Sequence, residues 1–341
     1  VGNAGTREDP ATTAADAAGV SAARLGRAEI DQAQRRLAGR VWRTPVVRCE
    51  QLDALTGSRL WLKAENLQRG GSFKVRGALL AVGELAASTS RGVIAQSTGN
   101  HAIAVALAAR EHGLPTIMVL PSDAPPTKIR RIQETGAEVV VAGTVLAERI
   151  AVVEELRELH GYDVVDPYEN PHVVAGQGTA TAELISQVAA EGGRLDAVVV
   201  PIGGGSAIAG ACLAATGHDL AVVGAEPAAV PAFTAALRAQ EPVTVRAHYT
   251  VADGLRPDRI GRLPFELAHR RVAEVVTVRE EAIADALRAA LLHARLLIEP
   301  AAATALAAAL EYACGRGTDV GVLLTGGNIE PSLVSSLLAE R

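Results

Sequence analysis

Residues 92–113 read GVIAQSTGNHAIAVALAAREHG, and the fold follows from how this stretch is parsed. The run 92–96 is short, apolar and partly β-branched, which reads as a strand buried on both faces. Ser97-Thr98-Gly99-Asn100 then supplies turn and capping residues, and 100–112 is an Ala-rich helix with Gly113 as its stop. The same unit recurs at 116–120 with a helix ending at 136, and at 138–142 with a helix over 145–160. A second series of strands lies at 197–202, 221–225, 274–278 and 320–324. Strands alternating with helices give parallel sheets covered on both sides, and this many strands point to an α/β chain with two doubly wound sheets. A ligand is expected where the carboxyl ends of the strands face one another.

Composition narrows the function classes. With 341 residues and 49% hydrophobic content, the chain is long enough for two domains. A net charge of −5 argues against a nucleic-acid partner. No apolar run approaches the ~20 residues of a membrane span, so no membrane association is expected. Residues 1–25, rich in Ala, Thr, Gly and Asp, read as a mobile N-terminal extension without the basic flank and apolar block of a secretory signal. Cys49, Cys212 and Cys314 are too dispersed for a zinc site or a disulfide framework. They fit a reducing compartment, and cytoplasmic localisation is the expectation.

Four segments carry chemistry. The first, Glu65-Asn66-Leu67-Gln68-Arg69-Gly70-Gly71-Ser72-Phe73-Lys74-Val75-Arg76-Gly77, is a glycine-containing turn that puts Lys74 in the first turn of a helix. The positive end of a helix dipole disfavours an ammonium there and favours the neutral amine; a surface lysine is the plain alternative. Second, Ser97-Thr98-Gly99-Asn100-His101 opens a helix after a strand, an anion site suited to a carboxylate, although capping by Ser97 or Thr98 explains part of it. Third, the strand 197–202 runs into Gly203-Gly204-Gly205-Ser206 and a helix, where converging N–H groups suit a phosphate. A dinucleotide site is the competing reading, with Glu226 as its ribose-binding acid. The third fingerprint glycine would fall on Ile208, too large for close helix–strand packing. Fourth, Leu324-Thr325-Gly326-Gly327-Asn328 ends a strand in a glycine turn, with the Thr325 hydroxyl directed at the expected crevice.

These four motifs, in this order, resemble the fold type II pyridoxal-phosphate enzymes, whose architecture is that of the tryptophan synthase β chain, and in particular the threonine/serine dehydratases and serine racemases. Arg43-Thr44-Pro45, Gly176-Gln177-Gly178-Thr179, Val251-Ala252-Asp253-Gly254 and Glu299-Pro300 extend the resemblance over roughly 30–338. It implies pyridoxal 5'-phosphate as cofactor and Lys74 as the catalytic Schiff-base lysine. Phe73 would lie near the pyridine ring, Asn100 at the ring hydroxyl, Gly203, Gly204, Gly205 and Ser206 at the phosphate, and Thr325 at the ring nitrogen. Ser97, Thr98, Asn100 and His101 would bind the substrate carboxylate.

The implied activity is that of an ammonia-lyase: β-elimination from a small hydroxy amino acid such as threonine or serine, giving a 2-oxo acid and ammonia. Racemisation on the same fold is the alternative, and a nicotinamide-dependent dehydrogenase stands further off. Thr98 replaces the serine that racemases carry on the second face, and its branched side chain is stiffer. Glu226 would need a second carboxylate six residues on to hold a divalent cation; that residue is Ala232, so no metal is expected. Arg256, Arg259 and Arg262 could meet a second substrate carboxylate or simply line a solvated loop. The domain expectation is a small unit, 88–162, inserted into a larger one formed by 26–87 and 163–341. The Ala-rich helix over 301–310 makes a homodimer plausible.

Overall fold

A computed structural model of the chain describes residues 25–339 except 98, 125, 144 and 145. The N-terminal extension thus lies outside the described residues apart from Leu25, which packs into the core. Thr98 lies outside them as well.

The larger sheet has six strands among the described residues: β1 (Val46–Val47), β2 (Arg59–Ala64), β7 (Ala197–Pro201), β8 (Ala221–Pro227), β9 (Val272–Val278) and β10 (Asp319–Leu324). Their spatial order is β1-β2-β10-β7-β8-β9, with β1 antiparallel to β2 and the other pairs parallel. The second sheet orders β5 (Glu138–Ala142), β4 (Thr116–Pro121), β3 (Val93–Gln96) and β6 (Asp163–Val164), all parallel. The strands expected at 92–96, 116–120, 138–142, 197–202, 221–225, 274–278 and 320–324 are all present within a residue or two. β1, β2 and β6 were not foreseen. β1 and β6 are two residues long, too short to show a period, and β2 (Arg-Leu-Trp-Leu-Lys-Ala) hides a buried lysine.

Side chains alternate across the larger sheet, and both faces are dry except along the edge strand β9, where Ala273, Glu274 and Thr277 are exposed. Leu60, Leu62, Val199, Val223, Val320, Val322 and Leu324 join one core cluster, with helices α11 (Glu280–Ala289) and α12 (Pro300–Ala313) over them. Trp61, Val198, Val200, Val222 and Leu323 join the cluster on the opposite face. Near-continuous apolar strands are what such double burial requires. α12 is buried along almost its whole length in its own chain, so the Ala-rich stretch 301–310 is an intramolecular packing surface and offers nothing to a second subunit.

Three further helices cross at glycines: α3 (Lys74–Ala87), α7 (Pro171–Ala190) and α8 (Ser206–Ala215). A Cβ on Gly176 would lie 2.5 Å from Gly77 Cα, and one on Gly178 would lie 2.6 Å from the Gly210 carbonyl oxygen. The Gly176-Gln177-Gly178-Thr179 motif therefore allows helix backbones to touch, fixing the start of α3 against the start of α8. Beneath α3, fully buried Arg76 donates to Glu65 at 2.7 and 2.8 Å and to Glu183 at 2.8 and 2.9 Å. Lys63 adds bonds of 2.8 Å to Glu183, Gln187 and the Thr44 carbonyl. Burial works against the Arg76 charge, yet its pairing with Glu65 and Glu183 outweighs this and raises its pKa. Two cations and two carboxylates balance, a requirement for ions held out of water.

Candidate active site

The three strands of the larger sheet that lead to singled-out motifs, β2, β7 and β10, are parallel and end on the same side. β2 and β10 run in register to Ala64 beside Leu324, so the lysine turn and the Thr325 turn leave the sheet together. They stay joined: Phe73 N–H donates to the Thr325 carbonyl at 2.9 Å, Ser72 bridges Gly326, and Gly327 N–H donates to the Gly71 carbonyl at 2.9 Å. Lys74 then opens α3 with a buried amine. Its Nζ has only long contacts, 3.4 Å to Ser206 Oγ and 3.5 Å to the Pro167 carbonyl, with the Phe73 ring centroid 5.2 Å away. Burial lowers its pKa to about 8, although Asp166 and Glu299 nearby favour the charge.

The glycine turn after β7 meets the lysine through Ser206. Gly205 has φ +102°, a left-handed backbone that a side chain would strain, and the first N–H groups of α8 have no intrahelical acceptor. Gly204 lies under the Tyr168 ring, where a Cβ would collide with it. Tyr168 belongs to the turn after β6, in which Asp166 accepts from the N–H groups of Tyr168 and Glu169 at 2.8 and 2.6 Å. Burial raises the Asp166 pKa. Gly204→Ala is expected to displace Tyr168 and open the turn. Overpacking of roughly 1–3 kcal/mol, if it falls on the bound state, corresponds to cofactor retention weaker by about 5- to 160-fold. Equilibrium dialysis of pyridoxal phosphate measures it, and unchanged retention would mean that Tyr168 does not shape the turn.

From the other sheet, β3 delivers the 97–101 loop and helix α4 (Asn100–Glu111). Ser97 Oγ accepts from Gly99 N–H at 3.2 Å. Asn100 Nδ2 lies 2.7 and 2.9 Å from the two Glu299 oxygens, and its Oδ1 accepts from Asn328 Nδ2 at 2.7 Å. Asn328 also donates to the Gly70 carbonyl at 2.8 Å, which ties this loop to the lysine turn. His101 Nε2 lies 2.8 Å from the Val165 carbonyl while Nδ1 is buried without a partner. Burial, reinforced by the nearby Lys74 charge, lowers its pKa to about 3. The ring is neutral, so any carboxylate at this loop meets N–H groups and hydroxyls rather than an imidazolium.

Lys74, Phe73, Ser206 and Thr325 thus come together directly, and Asn100 joins them through Asn328. Asp166, Tyr168 and Glu299 were not among the residues expected to form the site. Glu299 was noticed only within a matching dipeptide, and the turn 166–169 follows a two-residue strand that left no periodic signal. Glu226, offered above to a ribose or a cation, accepts from the N–H groups of Phe233 and Thr234 at 2.9 and 3.0 Å. It serves the start of a helix and is spent as a ligand. Arg256 and Arg262 are exposed, bonded to the Thr250 carbonyl and to Glu266 respectively; Arg259 is exposed too.

The donor set fits pyridoxal phosphate. A buried amine without an ion pair among the described residues awaits an aldehyde, an open helix N-terminus suits a phosphate, and an amide and a buried hydroxyl flank the same cleft. L-threonine ammonia-lyase of Thermotoga maritima is 37% identical over 91% of this chain and 77% of its own. L-threo-3-hydroxyaspartate ammonia-lyase of Pseudomonas sp is 36% identical over 91% of this chain and 97% of its own. Among solved structures, serine racemase of Dictyostelium discoideum superposes with a TM-score of 0.84 at 34% identity, covering 90% of this chain and 99% of the other. Maize serine racemase gives 0.86 at 32%, with coverage of 92% and 97%. The family of pyridoxal-phosphate dependent enzymes matches residues 37–326, a span that takes in the lysine turn, the 97–101 loop, the glycine turn and Thr325. The chain belongs to this family.

Proposed function

We propose that the protein removes water across Cα–Cβ of a small hydroxy amino acid, threonine or serine, and that the released enamine takes a water back up on hydrolysis to give the 2-oxo acid and ammonia. The observation that carries this is the buried Lys74 amine, with its lowered pKa, held opposite the glycine turn. Bound pyridoxal phosphate supplies the electron sink for the substrate Cα. Lys74 would hold the cofactor, and its freed Nζ would be the base for the substrate Cα proton. Gly203, Gly204, Gly205 and Ser206 hold the phosphate through N–H groups and the Ser206 hydroxyl. Phe73 and Asn100 flank the ring. Ser97, Thr98 and the N–H groups at the start of α4 orient the substrate carboxylate.

The family resemblance assigns Thr325, which is buried, to the ring nitrogen. A hydroxyl cannot hold that nitrogen protonated as a carboxylate would. The weaker electron sink that would result favours prompt loss of a β-substituent over ring-carbon protonation and transamination. Release of 2-oxo acid and ammonia across a panel of hydroxy amino acids tests the reading. L-threonine or L-serine is expected to lead. Formation of the opposite enantiomer without 2-oxo acid would replace elimination by racemisation.

The unit 88–162, with β6 added at its edge, is proposed to close on the rest and exclude water. Homodimerisation is proposed through exposed Leu67, Leu292 and Leu297 rather than through α12; Asn66 donates to the Leu297 carbonyl at 3.1 Å and brings two of these loops together. Among the described residues no helix is long and apolar enough to cross a membrane. Unpaired Cys49, Cys212 and Cys314 support the cytoplasmic assignment.

A further inference from the structure

Glu299 is a buried carboxylate in the site with no part in the chemistry described so far. It precedes α12 on the larger unit, yet its side chain reaches Asn100 at the start of α4, on the other sheet. Gly326 makes room for it, because a Cβ there would collide with the carboxylate and stand 3.1 Å from Asn100 Nδ2.

The hydrogen-bond inventory of Asn100 gives this contact a direction. A primary amide has two N–H donors and one carbonyl acceptor. The carbonyl is taken by Asn328, and the two carboxylate oxygens subtend a far narrower angle at Nδ2 than the trigonal spread of its N–H bonds. One N–H therefore serves both oxygens, and the other is left over. The reverse amide orientation would set its oxygen against the carboxylate and its nitrogen against the Asn328 donor. Glu299 and Asn328 together exclude it.

We propose, on the pyridoxal-phosphate reading above, that Glu299 is a positioning residue: its carboxylate locks the Asn100 amide so that a free N–H is presented to the cofactor ring hydroxyl, and its charge state is transmitted through that amide. The ionised form accepts from Asn100 strongly. The neutral form loses much of that attraction and lets the amide loosen.

The charged groups facing Glu299 are Asp253 from the 251–254 loop, Lys128 from helix α5 (Pro126–Gln133), paired with Asp253, and Lys74 from α3. Burial and then, after the opposing bond from Asn100, the negative Asp253 set its pKa at about 7, while Lys128 and the Asn328 N–H work the other way. Glu299 is thus ionised above about pH 7 and neutral below it.

The test is a pH titration of the visible absorption of the cofactor-loaded enzyme from pH 5.5 to 8.5, alongside cofactor retention on dialysis. A one-proton step near pH 7 is expected. Glu299→Gln should remove the step and release cofactor on the order of ten times faster, the loss of one charge-assisted bond. Asn100→Ala should also remove the step, although Glu299 still titrates. Asp253→Asn, at an exposed position, should move the step to lower pH by removing a negative neighbour; it keeps the proposal testable should Glu299→Gln not fold. A step unchanged in Glu299→Gln or Asn100→Ala, a step unmoved in Asp253→Asn, or its absence from the unaltered protein overturns the proposal. The visible band and a borohydride-fixed adduct on Lys74 report separately on the cofactor reading, so the two can fail independently.

Discussion

Lys74→Ala is expected to lower ammonia release by at least about 10³-fold, since it removes both the covalent anchor and the base for the Cα proton. The other titratable groups described near it are committed elsewhere, Glu299 to the Asn100 amide. His101 is neutral, with a pKa near 3 and its Nε2 tied to the Val165 carbonyl, and Asp166 is occupied by two backbone N–H groups. Borohydride reduction of the loaded protein should fix the cofactor on the peptide carrying Lys74 and on no other. Because burial sets the amine near 8, its neutral form grows as pH rises through that value. Cofactor loading of the apoprotein should therefore quicken over pH 7–9 and level off above. Retention of more than a few per cent of activity in Lys74→Ala would remove the mechanism.

Arg76→Ala is expected to lower unfolding stability by about 3–5 kcal/mol, the usual consequence of breaking a buried ion pair from one side. Glu65 is wholly buried and would keep only the Thr44 hydroxyl, 2.5 Å away, from its present side-chain donors. Glu183 would keep Lys63. Arg76→Lys should recover only part of the loss, because three N–H groups on a single nitrogen cannot reproduce the four bonds that the planar guanidinium makes to Glu65 and Glu183. Urea unfolding measures both variants. A midpoint for Arg76→Ala within experimental scatter of the parent, at equal slope, would show that the network is not a stabilising element.

Arg76 illustrates where sequence and structure part. Two residues after Lys74, it was read as part of a motif pointing at chemistry, and nothing in the linear order separates a ligand from a scaffold. Only the contacts show that it faces the core, where Glu183, more than a hundred residues away, meets it. Glu226 is the same case: a strand-end acid with the spacing of a ribose ligand, committed in space to a helix start.

The alternation of short apolar strands with Ala-rich helices determined the α/β class, the two sheets and the placement of the lysine, glycine and threonine turns at strand ends, because double burial imposes a local composition that survives in the linear order. The remaining features depend on partners distant in the chain. β2 became a central strand through its register with β10, although it carries Lys63. α12 became core because a sheet lay beneath it. Glu299 gained its place because β10, α4 and the lysine turn converge on one carboxylate, whose surroundings and charge only the tertiary structure decides.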